Sequence, residues 1–328
     1  MSANQELLNT LPRIGITIGD AAGIGPEIVL KALSDKNSQS DYTPVIICDE
    51  KFLRRQSELL GIELGRSDDR SIEIIDLNNL PAEMRPGEES GETGRASGEY
   101  IEKAVELWRG GKLDAIATAP ISKKALNAGG YDFPGHTEFL AKLTGTDEFA
   151  MSFFAENLRV VLLSTHLSLR DAIARVTKNA LVNLIKFSNE QLVRLLKRQV
   201  RIAVAGLNPH ASEGGMFGHE EAEEIIPAVE HGRTTLGIDV SGPYSPDTIF
   251  LRAFRGEFDA VIACYHDQAT IAVKCLSFGS AVNVTLGLPL IRTSVDHGTA
   301  LDIAGKNIAD ASSMTAAIKL AAELAVTR

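Results

Sequence analysis

The sequence predicts an α/β protein built on mostly parallel sheets and organised as two domains. Three observations lead there. Short runs of β-branched and aliphatic residues recur without polar alternation, as in strands covered on both faces. Helix-patterned segments fall between them, and strand–helix alternation along a whole chain marks a parallel sheet. The length of 328 residues, at roughly 150 per domain, suggests two domains.

The elements follow in chain order. Ile14-Gly-Ile-Thr-Ile18 is the first strand-like run, feeding a glycine-rich turn and an apolar helix from Ile28 to Leu33. Pro44-Val-Ile-Ile-Cys48 and Ile72-Glu-Ile-Ile-Asp76 come next. A polar loop, Pro86-Gly-Glu-Glu-Ser-Gly-Glu-Thr-Gly94, precedes a helix over residues 96–108, and Ala115-Ile-Ala-Thr118 is the fourth run. A helix begins near Glu138. Val160-Val-Leu-Leu163 then leads to a helix over 179–193, whose apolar positions include 181, 182, 184, 185 and 192. The remaining runs are Ile202-Ala-Val-Ala205, Ala260-Val-Ile-Ala263 and Val282-Asn-Val-Thr285, with a last helix over 315–325.

Composition narrows the function. A net charge of −10 and a pI near 5.3 argue against a nucleic-acid or anionic-membrane surface, which needs a basic face. A local cluster can still take an anionic substrate. The three cysteines, Cys48, Cys264 and Cys275, form no C-x-x-C pair and read as reduced thiols. The opening MSANQELLNTLPR has no basic n-region before an apolar core. No apolar run nears the ~20 residues of a membrane span, so a cytoplasmic location is expected.

In open parallel sheets, ligands collect outside the carboxyl ends of the strands. Three of the seven histidines, His166, His210 and His266, follow strand-like runs directly. Singly, each reads as a hydrogen-bonded loop residue. Together they compose a candidate divalent-metal site with positions left open for substrate. Their wide separation excludes a zinc-finger spacing. His219 and His231 lie in charged, helix-like surroundings and read as surface residues.

Other segments have two readings each. The loop Gly19-Asp-Ala-Ala-Gly-Ile-Gly-Pro-Glu27 is a tight strand–helix turn or a ligand contact. It is no dinucleotide fingerprint, because Ile28 stands where the third glycine belongs. His136 and Thr137 precede a helix whose free N–H groups favour an anion, though the segment on its own reads first as an N-cap threonine followed by acidic first-turn residues. Lys274, Asn283 and Arg292 surround one strand, either gripping a phosphate or carboxylate or standing as surface charge.

Six motifs carry a family resemblance. They are the Gly19–Glu27 loop, Gly135-His-Thr-Glu138, Gly206-Leu-Asn-Pro-His-Ala-Ser-Glu-Gly214, Tyr265-His-Asp-Gln268, Asn283-Val-Thr-Leu-Gly-Leu-Pro289 and Ile291-Arg-Thr-Ser-Val-Asp-His-Gly-Thr-Ala300. From about residue 13 onward the chain resembles the 4-hydroxythreonine-4-phosphate dehydrogenase family. The resemblance implies an isocitrate/isopropylmalate dehydrogenase-like fold of two α/β/α domains. We expect residues 1–128 plus 285–328 to form one domain and 129–284 the other. Two departures, Ala21 for a usual proline and Ala119-Pro-Ile-Ser-Lys123 where the vitamin B6 enzymes commonly read Gly-Pro-Val-His-Lys, resemble the D-threonate 4-phosphate dehydrogenase branch.

The resemblance also implies a function. It is NAD-dependent oxidation and decarboxylation of a four-carbon 3-hydroxy acid carrying a 4-phosphate: 4-phospho-D-threonate or 4-hydroxy-L-threonine 4-phosphate. A divalent metal (Zn, Mg, Mn or Co) would sit on His166, His210 and His266. Substrate would meet His136, Thr137, Lys274, Asn283 and Arg292, and NAD would meet Asp296, His297, Gly298 and Thr299. Asp247 and Asp267 are the candidates for proton handling, or for orienting a metal-bound histidine. A homodimer with shared sites is implied, one of the three histidine ligands coming from the partner subunit; if His166 and His210 belong to one chain and His266 to the other, His166→Ala and His266→Ala variants should complement each other. Alternatives are a dihydrodiol dehydrogenase of the same family and a three-histidine metal-dependent hydrolase.

Overall fold

The computed structural model describes residues 11–34, 41–64, 72–277 and 279–326. Contacts divide the chain into two units, Glu148–Gly287 and the remainder, which runs to Asp147 and resumes over Leu288–Val326.

The first unit begins with β1 (Arg13–Thr17), α1 (Gly25–Ser34), β2 (Thr43–Cys48), α2 (Glu50–Leu60) and β3 (Glu73–Asp76). It continues with α3 (Gly91–Arg109), β4 (Ala115–Thr118), α4 (Lys123–Ala128) and α5 (His136–Thr144). Local chemistry sets these bounds. Asp49 caps α2 by accepting from the Phe52 amide, and Gly61 ends it at φ 65°, a left-handed conformation that costs glycine little. Ser90 and Thr93 cap α3 reciprocally. At Gly94, a Cβ would lie 1.8 Å from the Ala125 carbonyl oxygen, so glycine is what lets α4 lie against α3.

The second unit holds β5 (Ala150–Ala155), β6 (Leu158–Leu162), α6 (Leu169–Ala174), α7 (Lys178–Leu196) and β7 (Ile202–Ala205). Then come α8 (Ile226–Thr234), β8 (Val240–Tyr244), α9 (Ile249–Phe254), β9 (Ala260–Ala263), α10 (His266–Ser277) and β10 (Val282–Leu286). Its strands run in the order β10-β5-β6-β9-β7-β8. β5 pairs antiparallel with both neighbours, and the rest pair parallel. Val160, Val261, Ala203 and Phe250 are among its buried core residues. The chain then returns to the first unit as β11 (Ile291–Ser294) and α11 (Ser312–Val326), completing the all-parallel order β3-β2-β1-β4-β11.

The mostly parallel α/β class is as the sequence predicts. The units meet at 147/148 and 287/288 rather than at 128/129 and 284/285. The physical reason for the first difference is an aromatic cluster that holds α5 in the first unit. Phe133 stacks on Phe139 at 4.5 Å, Tyr131 lies 5.1 Å from Phe139, and the Tyr131 hydroxyl donates to Glu102 of α3 at 2.9 Å. Three strands escaped the sequence reading: β5, β8 and β11. β8 carries Gly242 and Pro243, and it lies at a sheet edge, where proline's missing N–H is tolerated.

Candidate active site

In the first unit, polar side chains gather beyond the carboxyl ends of β1, β4 and β11. Thr17, Thr118 and Ser294 stand side by side in the parallel register. Two residues before Ser294, Arg292 faces the same side, opposite to Thr293, whose hydroxyl donates to Ala317 of α11. The Arg292 side chain is buried, 3% exposed, and its Nε and Nη2 donate to Thr118 Oγ1 at 3.2 and 2.8 Å. Burial pulls its pKa down to about 9, against the attraction of Glu138, so the group remains a cation at neutral pH. A buried cation of this kind favours an anion beside it.

His136 opens α5. Burial, and then the nearby Arg292 charge, hold its pKa well below the ordinary histidine value, so the ring is neutral. Its Nε2 is buried with no hydrogen-bond partner among the described residues. Thr137 follows it in the first helical turn, where backbone N–H groups are unpaired, and its side chain does not cap the helix. The N-cap is Gly135 instead.

The loop expected to meet NAD packs on the glycine-rich first loop of the same unit. The Ile24 amide donates to the Thr299 carbonyl at 2.9 Å, and a Cβ at Gly23 would fall 2.8 Å from that oxygen. Asp296 accepts from the Ser313 hydroxyl at 3.2 Å. His297 Nδ1 lies 3.1 Å from the Gly298 oxygen, while its Nε2 is buried without a partner among the described residues. A Cβ at Gly298 would meet nothing within 4 Å.

The second unit carries the other candidates. The His166 and His266 rings lie 5.8 Å apart and line a hollow of about 230 Å³ with Thr165, Tyr265 and Asp267. Two imidazoles on one tetrahedral ion have centroids about 5 Å apart, from metal–nitrogen bonds near 2.0 Å. His266 is the first residue of α10, and its Nδ1 lies 2.7 Å from Asp267 Oδ1. That contact leaves Nε2 as the ligating nitrogen. Two of the three expected donors therefore fit one metal ion.

His210 stands apart. It is exposed, its ring is 6.4 Å from Phe217, and no group of three metal-ligating side chains forms among the described residues. His266 lies with His166, and His210 does not join them.

Asp247 and Asp267 line one larger cavity of about 450 Å³, together with Tyr265, Gln268 and Cys275. Lys274 is exposed near the end of α10. Asn283, on β10, has its Oδ1 buried without a partner among the described residues. The sequence reading overlooked Thr118, which receives Arg292, and Glu221 and Gln268, which brace the histidine loops. Polar residues at or just beyond strand ends were the available signal for Thr118 and Gln268. Glu221 lies in a helical segment and gave none. Among the described residues, no helix is long and apolar enough to cross a membrane.

Known proteins are similar to this chain in sequence and fold. The family model described as pyridoxal phosphate biosynthetic protein PdxA matches residues 40–321. The D-threonate 4-phosphate dehydrogenase of Cupriavidus necator is 48% identical, over 97% of this chain and 98% of that one. A crystal structure of a 4-hydroxythreonine-4-phosphate dehydrogenase from Burkholderia phymatum is 46% identical with a TM-score of 0.84, covering 96% and 99% of the two chains. A terephthalate 1,2-cis-dihydrodiol dehydrogenase from Burkholderia xenovorans is more distant, 29% identical with a TM-score of 0.63 over 92% and 95%.

Proposed function

The chain belongs to the PdxA family, and on that premise we propose that it is an NAD- and divalent-metal-dependent dehydrogenase that oxidises and decarboxylates 4-phospho-D-threonate. The observation that carries the reading is the His166–His266 pair, 5.8 Å apart, with Asp267 against His266 Nδ1. The D-threonate substrate is preferred over 4-hydroxy-L-threonine 4-phosphate because relatives named for it are 48% and 45% identical over nearly the whole chain.

In this reading His166 and His266 hold a metal from one protomer, and His210 reaches the same ion from the partner in a homodimer. When bound, the ion supplies charge stabilisation at the C3 oxygen, and NAD accepts the hydride. The residues of the chain do the rest. Asp267 accepts a hydrogen bond from His266 Nδ1–H, which fixes the tautomer of the ring and raises the basicity of its Nε2. Asp247, on the neighbouring cavity wall, would take the C3 hydroxyl proton. Arg292 and neutral His136 bind the anionic end of the substrate, and His136 Nε2 thereby gains the partner it lacks. Lys274 and Asn283 contact the other polar groups. The backbone around His297 and Gly298 seats the dinucleotide.

A substrate panel tests the proposal. Purified protein with added Mn²⁺ and NAD is offered 4-phospho-D-threonate, 4-phospho-D-erythronate, 4-hydroxy-L-threonine 4-phosphate and an aromatic cis-dihydrodiol. NADH and CO₂ should form fastest with 4-phospho-D-threonate and disappear with chelator. Phosphate release without NADH would point to a hydrolase and overturn the reading.

A further inference from the structure

His210 sits in an unusual piece of backbone. The helical turn Pro209–Gly215 contains five consecutive left-handed residues: His210 (φ 53°), Ala211 (51°), Ser212 (67°), Glu213 (44°) and Gly214 (68°). Only one of them is glycine. In each of the other four, the left-handed conformation drives Cβ toward the following carbonyl oxygen, and such residues ordinarily occur singly. A run of four persists only if the surroundings impose it.

One buried carboxylate ties down the residues that lead into the turn. Glu221, 1% exposed, accepts from the backbone amides of Leu207 at 2.8 Å and Asn208 at 2.7 Å through Oε1. Its Oε2 accepts from the Asn208 side-chain amide at 2.9 Å. Asn208 is the residue that starts the turn, and the same Nδ2 also donates to Glu220 at 2.7 Å. Glu221 itself opens a five-residue π-helical segment, Glu221–Ile225, a geometry that recurs at functional sites. Gln268 adds a second tie. Its Nε2 donates to the Gly206 carbonyl at 2.8 Å, and its Oε1 accepts from the Cys264 amide at 2.7 Å. The His210 loop is thus anchored to the same strand end that delivers His266.

We infer that Glu221 is a positioning residue for His210, holding the left-handed turn in the one conformation that presents the imidazole as the metal ligand of a neighbouring protomer. The inference rests on the metal reading above. Glu221 touches neither substrate nor metal; it acts through Asn208 and the turn. Fixing this backbone before the ion arrives spares the ordering cost that a flexible loop would levy on binding.

The test is metal affinity, not turnover alone. Glu221→Gln keeps the shape but sets an amide N–H against the Asn208 amide. Flipping Asn208 would turn its oxygen toward the Glu220 carboxylate instead. Co²⁺ alone is titrated into the metal-free protein, without NAD or substrate, and its visible absorption is followed. Loss of an orienting partner lowers metal affinity about 10–100-fold, and that range is expected for Glu221→Gln in the folded dimer. The kcat should fall while the KM for NAD stays unchanged. Adding Ala211→Gly, which relieves the left-handed turn, should recover part of the affinity. If Glu221→Gln does not fold, Glu221→Asp keeps the charge, shortens the reach and should weaken Co²⁺ binding in the same direction. Wild-type Co²⁺ affinity in the folded variant, alongside lost affinity in His210→Ala, overturns the role of Glu221 and leaves the metal reading standing. Wild-type affinity in both overturns both.

Discussion

Replacing Arg292 by lysine separates charge from geometry at the buried end of the proposed substrate site. Arg292 is 3% exposed, and its guanidinium already spends Nε and Nη2 on Thr118 Oγ1. A planar fork can hold that hydroxyl and still direct other N–H groups at an anion; an ammonium of the same charge cannot do both in one plane. A hydrogen bond to a charged group contributes about 1.5–3 kcal/mol. Losing one in the transition state lowers kcat/KM about 10- to 160-fold, at 1.36 kcal/mol per decade. Arg292→Met, which also removes the charge, should lose more. Initial rates of NADH formation are measured with 4-phospho-D-threonate and NAD varied separately. The defect should fall on the phosphorylated acid. A defect confined to the KM for NAD would refute the assignment, as would wild-type kinetics in Arg292→Lys.

Two further predictions concern the histidines. His136 is held neutral in the folded protein, with its pKa well below 6.5, so the unfolded chain binds an extra proton below that value. Its contribution to stability is complete above about pH 7 and is lost as pH falls from 6.5 toward the folded pKa, at up to about 1.4 kcal/mol per pH unit. Urea unfolding between pH 7.5 and 5.5 should show a shallower pH slope in His136→Asn, and an identical slope would contradict the assignment. The pairing of His166 with His266 predicts which inactive variants complement in a shared-site dimer. His166→Ala mixed with His210→Ala should regain up to about half the activity per heterodimer, because one of two symmetric sites escapes both defects. His166→Ala mixed with His266→Ala should regain none, and recovery in that second mixture would mean that the pair is split between protomers.

The fold was legible where burial is two-sided. Ala115–Thr118, Ile202–Ala205 and Ala260–Ala263 are buried at every position, and their apolar runs marked them to the residue. β11 was not legible, because Ile291–Ser294 is just as buried but consists largely of polar residues. Arg292, Thr293 and Ser294 are there for the site and for α11, not for the core. The boundary after Asp147 was hidden for a different reason. Phe133 and Phe139 face each other only once the chain has turned, and no local periodicity announces that contact.

At the site, sequence pattern found the residues but not their grouping. Three histidines after three strand-like runs suggested one cluster, because parallel strands deliver their ends to one edge. The order β6-β9-β7 makes His166 and His266 products of adjacent strands, and β7 is adjacent to β9 as well. Proximity of strands is therefore not what separates His210. The chain after β7 spends five left-handed residues, while the chain after β9 enters α10 at once with His266 as its first residue. Left-handed backbone at His210, Ala211, Ser212 and Glu213 is disfavoured by their own side chains, so no propensity could have foretold it. On our inference it is specified at a distance, by a carboxylate buried thirteen residues after Asn208. A histidine held in this way by its own chain, yet not delivered to its own chain's pair, is what the proposed site shared between two copies would require of each copy.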